Sequence, residues 1–155
     1  MSNRALFSLL LAALSMGQSH ANAAGRWSSE IAGPVKADVL KVVDGDTILV
    51  AARPWPQQII EVYVRLRGID APEIKSRCDA IREAGTKAQR ALITMLGSNR
   101  TVLLTRISGD KYFGRVLADV ALEDGRNPAQ ELLSAGFVTS YAERLETAQS
   151  CGFWQ

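Results

Sequence analysis

Eight consecutive residues near the middle of the chain alternate between aliphatic and other side chains. The aliphatic positions are Ile60, Val62, Val64 and Leu66. A period of two places successive side chains on opposite faces of a β-strand. The segment therefore predicts a half-buried strand, with Arg65 and Arg67 on the face opposite the core.

Two further β-rich runs precede this strand. Residues 39–43 and 47–50 are rich in branched side chains and flank Asp44-Gly45, a dipeptide that supplies positive φ in tight hairpin turns. Two prolines then mark a loop over residues 52–58. The first half of the chain is thus predicted to form three strands with short connections.

Helical and strand patterns alternate in the second half. Apolar residues at helical spacing predict a helix over 82–96, and residues 101–107 and 116–122 resemble strands. Asn127 as an N-cap, followed by Pro128, predicts a short helix to residue 135. A last weak helix is predicted over 142–149.

The order of elements is strand, strand, strand, helix, strand, strand, helix and the weak final helix. This is the order of a five-stranded OB-fold, a β-barrel with helices in the α+β class, whose open face binds oligonucleotides in many proteins. With 155 residues, the chain fits one domain of this size.

The first 23 residues have the pattern of a cleaved export signal. Arg4 precedes an apolar stretch over 5–16, and Ala21-Asn22-Ala23 completes an A-x-A cleavage pattern. A membrane anchor is the weaker alternative, because a span needs about 20 apolar residues. We expect an exported protein, periplasmic or secreted, without an anchor. Residues 24–36 are predicted to be an extended lead-in, and 37–155 the folded domain.

Signal cleavage would also remove His20, the only histidine, and leave 155 − 23 = 132 residues. The mature chain then has no Ser-His-Asp or Cys-His nucleophile, no histidine general base and no histidine-ligated zinc. Any catalysis has to use carboxylates, arginines and a hard metal ion.

The two cysteines, Cys78 and Cys151, both lie in the mature chain. Cysteines far apart in sequence usually pair in an oxidising compartment, so we predict a disulfide. Two buried thiols are the alternative.

Three carboxylates are predicted at the ends of elements: Asp46 after the hairpin turn, and Asp70 and Glu73 after the third strand. Arg65 and Arg115 lie near them in sequence or, by hypothesis, in space. Hard cations prefer oxygen ligands, and guanidinium groups match phosphate geometry. The acids could instead be turn residues, and the arginines a solvated strand face.

Charge is unevenly distributed along the chain. Residues 61–115 contain 11 Lys+Arg and 6 Asp+Glu, a local charge of +5, whereas the rest of the mature chain has 6 and 10, or −4. Such a basic region suits a polyanionic partner. Chance segregation of surface charge is the alternative.

Three segments, in this order, resemble the signature segments of the staphylococcal nuclease (thermonuclease) family: residues 43–47, 64–73 and 110–115. Residues 127–136 resemble the helix that follows the barrel in that family. The resemblance covers about residues 39–136. It implies an OB-fold, calcium-dependent endonuclease that acts on DNA and RNA and leaves 3′-phosphates.

By matching position, the resemblance assigns Asp46, Asp70 and the backbone carbonyl of Ala71 to one Ca²⁺ ion. Glu73 would be the general base that orients or deprotonates the attacking water. Arg65 and Arg115 would hold the phosphate.

The sequence departs from the family pattern in two places. Tyr112 and Phe113 both precede Gly-Arg where the family has one aromatic residue, so the extra residue could be a bulge that keeps Arg115 in place or could turn it away. The C-terminal part is also shorter than in the staphylococcal enzyme. Lys111, Tyr112, Phe113 and Tyr141 remain candidate nucleotide contacts.

Two other functions stay open from the sequence. One is a catalytically inactive OB-fold module that binds nucleic acid, and the other is a scaffold that binds a protein partner. Nothing in the sequence requires a dimer, so we expect a monomer.

Overall fold

The computed structural model describes residues 29–98 and 100–142. The elements in this part of the chain are β1 Glu30–Ile31, β2 Val35–Val42, β3 Thr47–Arg53, β4 Ile60–Leu66, β5 Ile69–Asp70, α1 Asp79–Leu96, β6 Thr101–Gly109, β7 Arg115–Leu122, α2 Pro128–Ser134 and β8 Thr139–Ser140. Helix α1, predicted over 82–96, begins three residues earlier than expected, at Asp79. The weak helix predicted over 142–149 lies almost wholly outside the described residues.

Five strands close into a barrel. β2 pairs with β3 and β3 with β4, both antiparallel, and β4 then pairs with β7 in parallel. β7 returns to β6, and β6 to β2, so each of the five strands has a neighbour on both sides. Closure leaves no free barrel edge. The predicted OB-fold of the α+β class is confirmed.

Part of the predicted lead-in over residues 24–36 belongs to the β-sheet. β1 pairs with β6, with Glu30 opposite Ser108 and Ile31 opposite Ile107. β2 already begins at Val35. Neither helix in the described ranges is long and apolar enough to cross a membrane.

Aliphatic side chains fill the barrel, and α1 covers one end of it. Val64 and Leu66 of β4 are buried among them, as the alternation predicts, and so are Ala88 and Leu92 of α1. Each fully buried side chain of leucine size contributes about 1.5–3 kcal/mol. The alternation also predicts that Ile60 is buried, and this prediction is wrong. Ile60 is 42 % exposed because it begins the strand, directly after the exposed residues 55–59.

The turn between β2 and β3 differs from the predicted one. Gly45 does not have a positive φ. Its role is steric: a Cβ there would lie 2.6 Å from the Cβ of Ala88 on α1 and 2.9 Å from the Cβ of Ala71. Glycine is therefore required by the close approach of helix and loop rather than by the turn conformation.

A second close contact joins α1 to the loop that follows β5. A Cβ on Gly85 would lie 2.4 Å from the carbonyl oxygen of Pro72 and 3.0 Å from a methyl group of Ile74. The helix thus rests directly on the backbone on either side of Glu73. Since the nearest atom belongs to the backbone, this contact cannot be relieved by rotating a side chain.

We predict that Gly85→Ala lowers the free energy of unfolding by about 1–2 kcal/mol. Alanine in a helix interior gains about 1 kcal/mol over glycine, but overpacking costs about 1–3 kcal/mol, and the close backbone contact at Gly85 places the cost in the upper part of that range. Urea denaturation measures the change.

Gly109→Ala is the matched control, because a Cβ on Gly109 meets nothing within 4 Å. Its effect should stay within about 0.5 kcal/mol. Equal stabilities for the two variants would contradict the close packing at Gly85.

Candidate functional site

One guanidinium group joins two buried carboxylates. Arg65 on β4 places Nη1 3.0 Å from Oδ1 of Asp46 and Nη2 2.5 Å from Oδ1 of Asp70. Asp46 is 2 % exposed and Asp70 1 %. Asp46 does lie in the turn before β3, but both acids are buried, and Arg65 is not on a freely solvated face.

The backbone around the first turn fixes Asp46. Its N–H donates to Oδ1 of Asp44 at 3.1 Å, and its carbonyl accepts from the N–H of Leu66 at 2.8 Å. Its own carboxylate accepts from the hydroxyl of Thr47 and from the N–H of Ala71, each at 2.8 Å. These bonds tie the end of β4 to the backbone of Asp46 and the loop after β5 to its side chain.

Asp70 is held by the small two-stranded sheet. β5 pairs with β8, so that Ile69 lies opposite Ser140 and Asp70 opposite Thr139. Directly after β8, the N–H of Tyr141 donates to the carbonyl of Gly68 at 3.0 Å. The same pairing therefore positions Asp70 and brings Tyr141 to the site.

Burial and neighbouring charges determine the electrostatics of Asp46 and Arg65. Burial raises the pKa of Asp46 to about 6; the positive charge of Arg65 opposes this shift and the negative charge of Asp44 adds to it. Burial by itself would lower the pKa of Arg65, but Asp46 and Asp70 outweigh it and raise that pKa. Arg65 stays charged, and Asp46 is ionised at a cost to the fold.

A small acidic cavity of about 70 Å³ lies at these carboxylates, and Asp44, Asp46, Asp70, Ala71 and Glu73 line it with Arg65. Its donors are all oxygens, which hard divalent cations prefer. The carboxylates of Asp46 and Asp70 both pair with one cation, the guanidinium group of Arg65. The donor set therefore fits a hard cation, with two carboxylates as the protein's charged ligands. Within 29–98 and 100–142, no three His, Cys, Asp or Glu side chains group as a metal site, so other oxygens would have to complete the coordination.

A larger cavity of about 740 Å³ adjoins the acidic one. Arg65 and Glu73 line both cavities, and the larger one is also lined by Arg115, Lys111 and Tyr112. Tyr141 lies on its wall. The structure thus brings Asp46, Arg65, Asp70, Glu73 and Arg115, the five side chains singled out in the sequence, around two adjoining cavities.

Arg115 is oriented by a carboxylate that the sequence analysis did not single out. Its Nε donates to Oδ2 of Asp110, and its Cζ lies 4.6 Å from the centre of the Tyr112 ring. Burial opposes ionisation of Asp110, but the hydrogen bonds from Arg115 and from the N–H of Lys111 hold its pKa below the usual value. The sequence did contain a signal for this contact, namely an acidic residue five positions before Arg115.

The extra aromatic residue is absorbed by the turn before β7. Gly114 has φ of +80°, and the N–H of Arg115 donates to the carbonyl of Tyr112 at 3.3 Å. Arg115 then begins β7 opposite Tyr63 and faces the larger cavity. The insertion therefore does not turn Arg115 away. Phe113, in contrast, is fully exposed and does not line the cavity.

Arg67 is a second residue whose position could not be predicted. Its Nη2 donates to the carbonyl of Arg106, to the hydroxyl of Ser108 at 3.1 Å and to the carbonyl of Leu117 at 3.2 Å. Arg106 has a positive φ of 48° at a bulge in β6. Arg67 therefore joins this bulge to β7 at the far wall of the larger cavity.

Cys78 is disulfide-bonded. Cys151 lies outside the described residues, so its pairing with Cys78 stays a prediction.

The sequence also matches a family model described as staphylococcal nuclease homologue, over residues 63–151. This range is more than half of the chain and contains Arg65, Asp70, Glu73 and Arg115. Asp46 lies before the matched range, so its place beside Asp70 is a finding of the structure. No curated protein matches the chain.

We predict that Asp46→Asn raises the free energy of unfolding at pH 7.5, by about 1–3 kcal/mol when measured in chelator. The folded pKa of about 6 lies above the usual 3.8, so the folded protein binds a proton more tightly and wild-type stability falls as pH rises from 4 to 6. The advantage of the variant should therefore be greatest above pH 6 and vanish below pH 4. Urea denaturation at several pH values tests this.

Asp124→Asn serves as the control of opposite sign. The hydrogen bond from Arg126 lowers the pKa of Asp124, so losing that carboxylate should not stabilise the protein at any pH. If Asp46→Asn were less stable than wild type at pH 7.5, the cost ascribed to the buried charge would be absent.

Proposed function

The chain belongs to the staphylococcal nuclease homologue family, and on that premise we propose that it is a calcium-dependent endonuclease acting on DNA, RNA or both. Family membership gives the nuclease-like function. One observation carries the finer proposal: Arg65 and Glu73 line both an acidic cavity and a basic one. That arrangement puts a base and a phosphate-binding group beside a place for a cation.

The ligands proposed for Ca²⁺ are the carboxylates of Asp46 and Asp70 and the backbone carbonyl of Ala71. The shared ion pair with Arg65 supports this, since both carboxylates face one positive charge. A bound divalent ion supplies Lewis-acid stabilisation of a phosphate oxygen and lowers the pKa of water.

Glu73 is the proposed general base. Its side chain is exposed, and its Oε1 accepts from the N–H of Lys75 at 3.2 Å. The carboxylate of a glutamate is a weak base, since its reference pKa is about 4.3. It would therefore act by orienting the attacking water and accepting its proton as the new bond to phosphorus forms. The bond from phosphorus to the 5′-oxygen would break in the same displacement, and that oxygen would leave as a hydroxyl after taking a proton from solvent.

Arg65 and Arg115 are the proposed phosphate ligands. A guanidinium group stays protonated and matches the oxygens of a phosphate with two parallel hydrogen bonds. Asp110 fixes the direction of the Arg115 side chain through Nε. Both arginines would oppose the negative charge that grows on the phosphate oxygens in the transition state.

The local charge of +5 over residues 61–115 supports a polyanionic substrate. The export-signal pattern of residues 1–23 supports action in the periplasm or outside the cell. These residues lie outside the described part of the chain.

Hydrolysis of a labelled single-stranded oligonucleotide, with calcium and with chelator, tests the proposal. Glu73→Gln should lower kcat about 10²–10⁴-fold, and Arg115→Ala about 10²–10³-fold, because each removes a group that acts in the transition state. Arg115 is the better arginine to substitute, since its loss leaves the buried ion pairs intact. Loss of Arg65 would leave two buried carboxylates without their cation.

Glu61→Gln and Arg126→Ala are the matched controls. Glu61 is exposed on the same strand as Arg65, and Arg126 pairs with Asp124 at the surface. Calcium-dependent cleavage that survives in the controls and not in the site variants supports the enzyme. A mobility shift without cleavage would favour the alternative, a catalytically inactive binding module.

Calcium should also raise the midpoint of thermal unfolding in the absence of substrate. Stabilisation by a ligand of the folded state follows RT ln(1 + [L]/Kd), or about 2.7 kcal/mol at a hundred times Kd. We expect Asp70→Asn to lose most of this shift and the surface variant Asp124→Asn to keep it. A calcium response of Asp70→Asn equal to that of wild type would remove Asp70 from the ligand set.

A further inference from the structure

The aromatic residues of this protein are distributed in an unusual way. The described residues contain six of them, and of these only Phe137 packs against the core. The other five are exposed: Trp55, Tyr63, Tyr112, Phe113 and Tyr141. Since aromatic side chains bury large apolar areas in most cores, rings left at the surface need another explanation.

Four of the five exposed rings are near Arg115. Tyr112 and Tyr141 line the larger cavity with it, and Tyr112 lies directly over its guanidinium group. Tyr63 and Phe113 lie outside the cavity but are linked to Arg115 through the backbone. Only Trp55 is elsewhere, in the loop at the other end of β4.

Tyr63 extends the site along the outer face of β4. It lies two residues before Arg65, so both side chains leave the strand on the same side. It is opposite Arg115 in the parallel pairing of β4 with β7, at a strand spacing of about 4.8 Å. Its N–H also donates to the carbonyl of Gly114 at 3.4 Å. The Tyr63 ring is 45 % exposed.

Phe113 is at the tip of the turn that delivers Arg115. Its side chain is fully exposed, although phenylalanine has no polar atom to interact with water. The turn does not need a ring at this position, because Gly114 supplies the positive φ and the Tyr112 carbonyl closes the hydrogen bond.

We propose that Tyr63 and Phe113 stack on unpaired bases that flank the phosphate held by Arg115. This inference rests on the proposed function. Exposed rings interleaved with basic side chains are the surface that single-stranded nucleic acids bind, because any base offers a face for stacking. Lys111 and Arg115 supply the positive charge: both lie over the Tyr112 ring and line the larger cavity. Phe113 follows Tyr112 in the same turn, and Tyr63 lies opposite Arg115 in the strand pairing.

The kind of nucleic acid that can bind follows from the proposed stacking of bases on Tyr63 and Phe113. Bases in a duplex are stacked on one another and cannot reach two rings on a barrel surface, whereas splayed bases can. Stacking on Tyr63 and Phe113 should therefore favour a strand of several nucleotides with unpaired bases over a substrate with a single base.

Binding of fluorescent oligothymidylate to the full chain, measured by anisotropy in a Glu73→Gln background, tests the proposal. Tyr63→Ala and Phe113→Ala should each weaken binding about 5- to 150-fold, the range that corresponds to 1–3 kcal/mol per stacked base. Phe113→Tyr, which keeps a ring, should recover most of the affinity lost in Phe113→Ala.

Trp55→Ala is the matched control, since it removes an exposed ring that precedes β4 and lines a cavity different from that of Arg115. It should bind as tightly as its parent. Affinities for Tyr63→Ala and Phe113→Ala equal to that of Trp55→Ala would overturn the proposal, provided that circular dichroism shows all three folded.

A second measurement separates this proposal from the nuclease assignment. With Glu73 restored, kcat/KM is compared for an oligonucleotide and for a thymidine phosphodiester with a nitrophenyl leaving group. The ratio of kcat/KM for the oligonucleotide to kcat/KM for the small phosphodiester should fall about ten-fold or more in the double variant Tyr63→Ala/Phe113→Ala. An unchanged ratio with calcium-dependent hydrolysis intact overturns the stacking role and leaves the nuclease. Binding that depends on the rings, without any hydrolysis, supports the stacking role and refutes the nuclease.

Discussion

The contact of Arg65 with two buried carboxylates is the interaction on which the rest of the site depends. Asp46 and Asp70 are nearly inaccessible and come from different parts of the barrel, so their charges would repel each other without a cation between them. Even with Arg65 present, burial raises the pKa of Asp46. A fold that maintains ionised carboxylates at such a cost is poorly explained by stability alone, since apolar residues of similar volume often stabilise a protein more than a buried ion pair. The buried charge therefore supports the cation site proposed above.

Barrel connectivity explains how these groups meet. Asp46 lies at the start of β3 and Arg65 near the end of β4, and the antiparallel register sets Thr47 opposite Arg65. The parallel pairing of β4 with β7 then places Arg115 opposite Tyr63, two residues away. Side chains far apart in sequence thus converge at one end of the barrel. Helix α1 fixes the remaining loop, because its small residues let the backbone around Glu73 approach it.

Local sequence patterns predicted the elements well, because periodicity and capping are local properties. The alternation around Val64 identified a strand with its buried face, and Asn127 caps α2 by accepting from the N–H groups of Ala129 and Gln130, as its position suggested. The resemblance of three ordered segments identified the acids and arginines of the candidate site. Long-range contacts were not accessible in this way. Gly45 looked like a turn residue because nothing in its neighbourhood signals that Ala88 will lie against it. The pairing of Arg67 with the bulge at Arg106 was hidden for the same reason.

The placement of aromatic rings connects stability with function. Within the described residues the barrel is filled by aliphatic side chains, and its core contains no aromatic ring. Valine, leucine and isoleucine suit the interior of a small five-stranded barrel, where side chains alone must fill the space. Rings that the core does not use are concentrated instead where a guanidinium group faces a cavity. Their exposure contributes little to folding, so we expect the side chains at Tyr63 and Phe113 to be constrained chiefly by the bases proposed to stack on them. A substitution there should alter binding with little effect on unfolding, whereas one at Gly85 or Asp46 acts on the fold first.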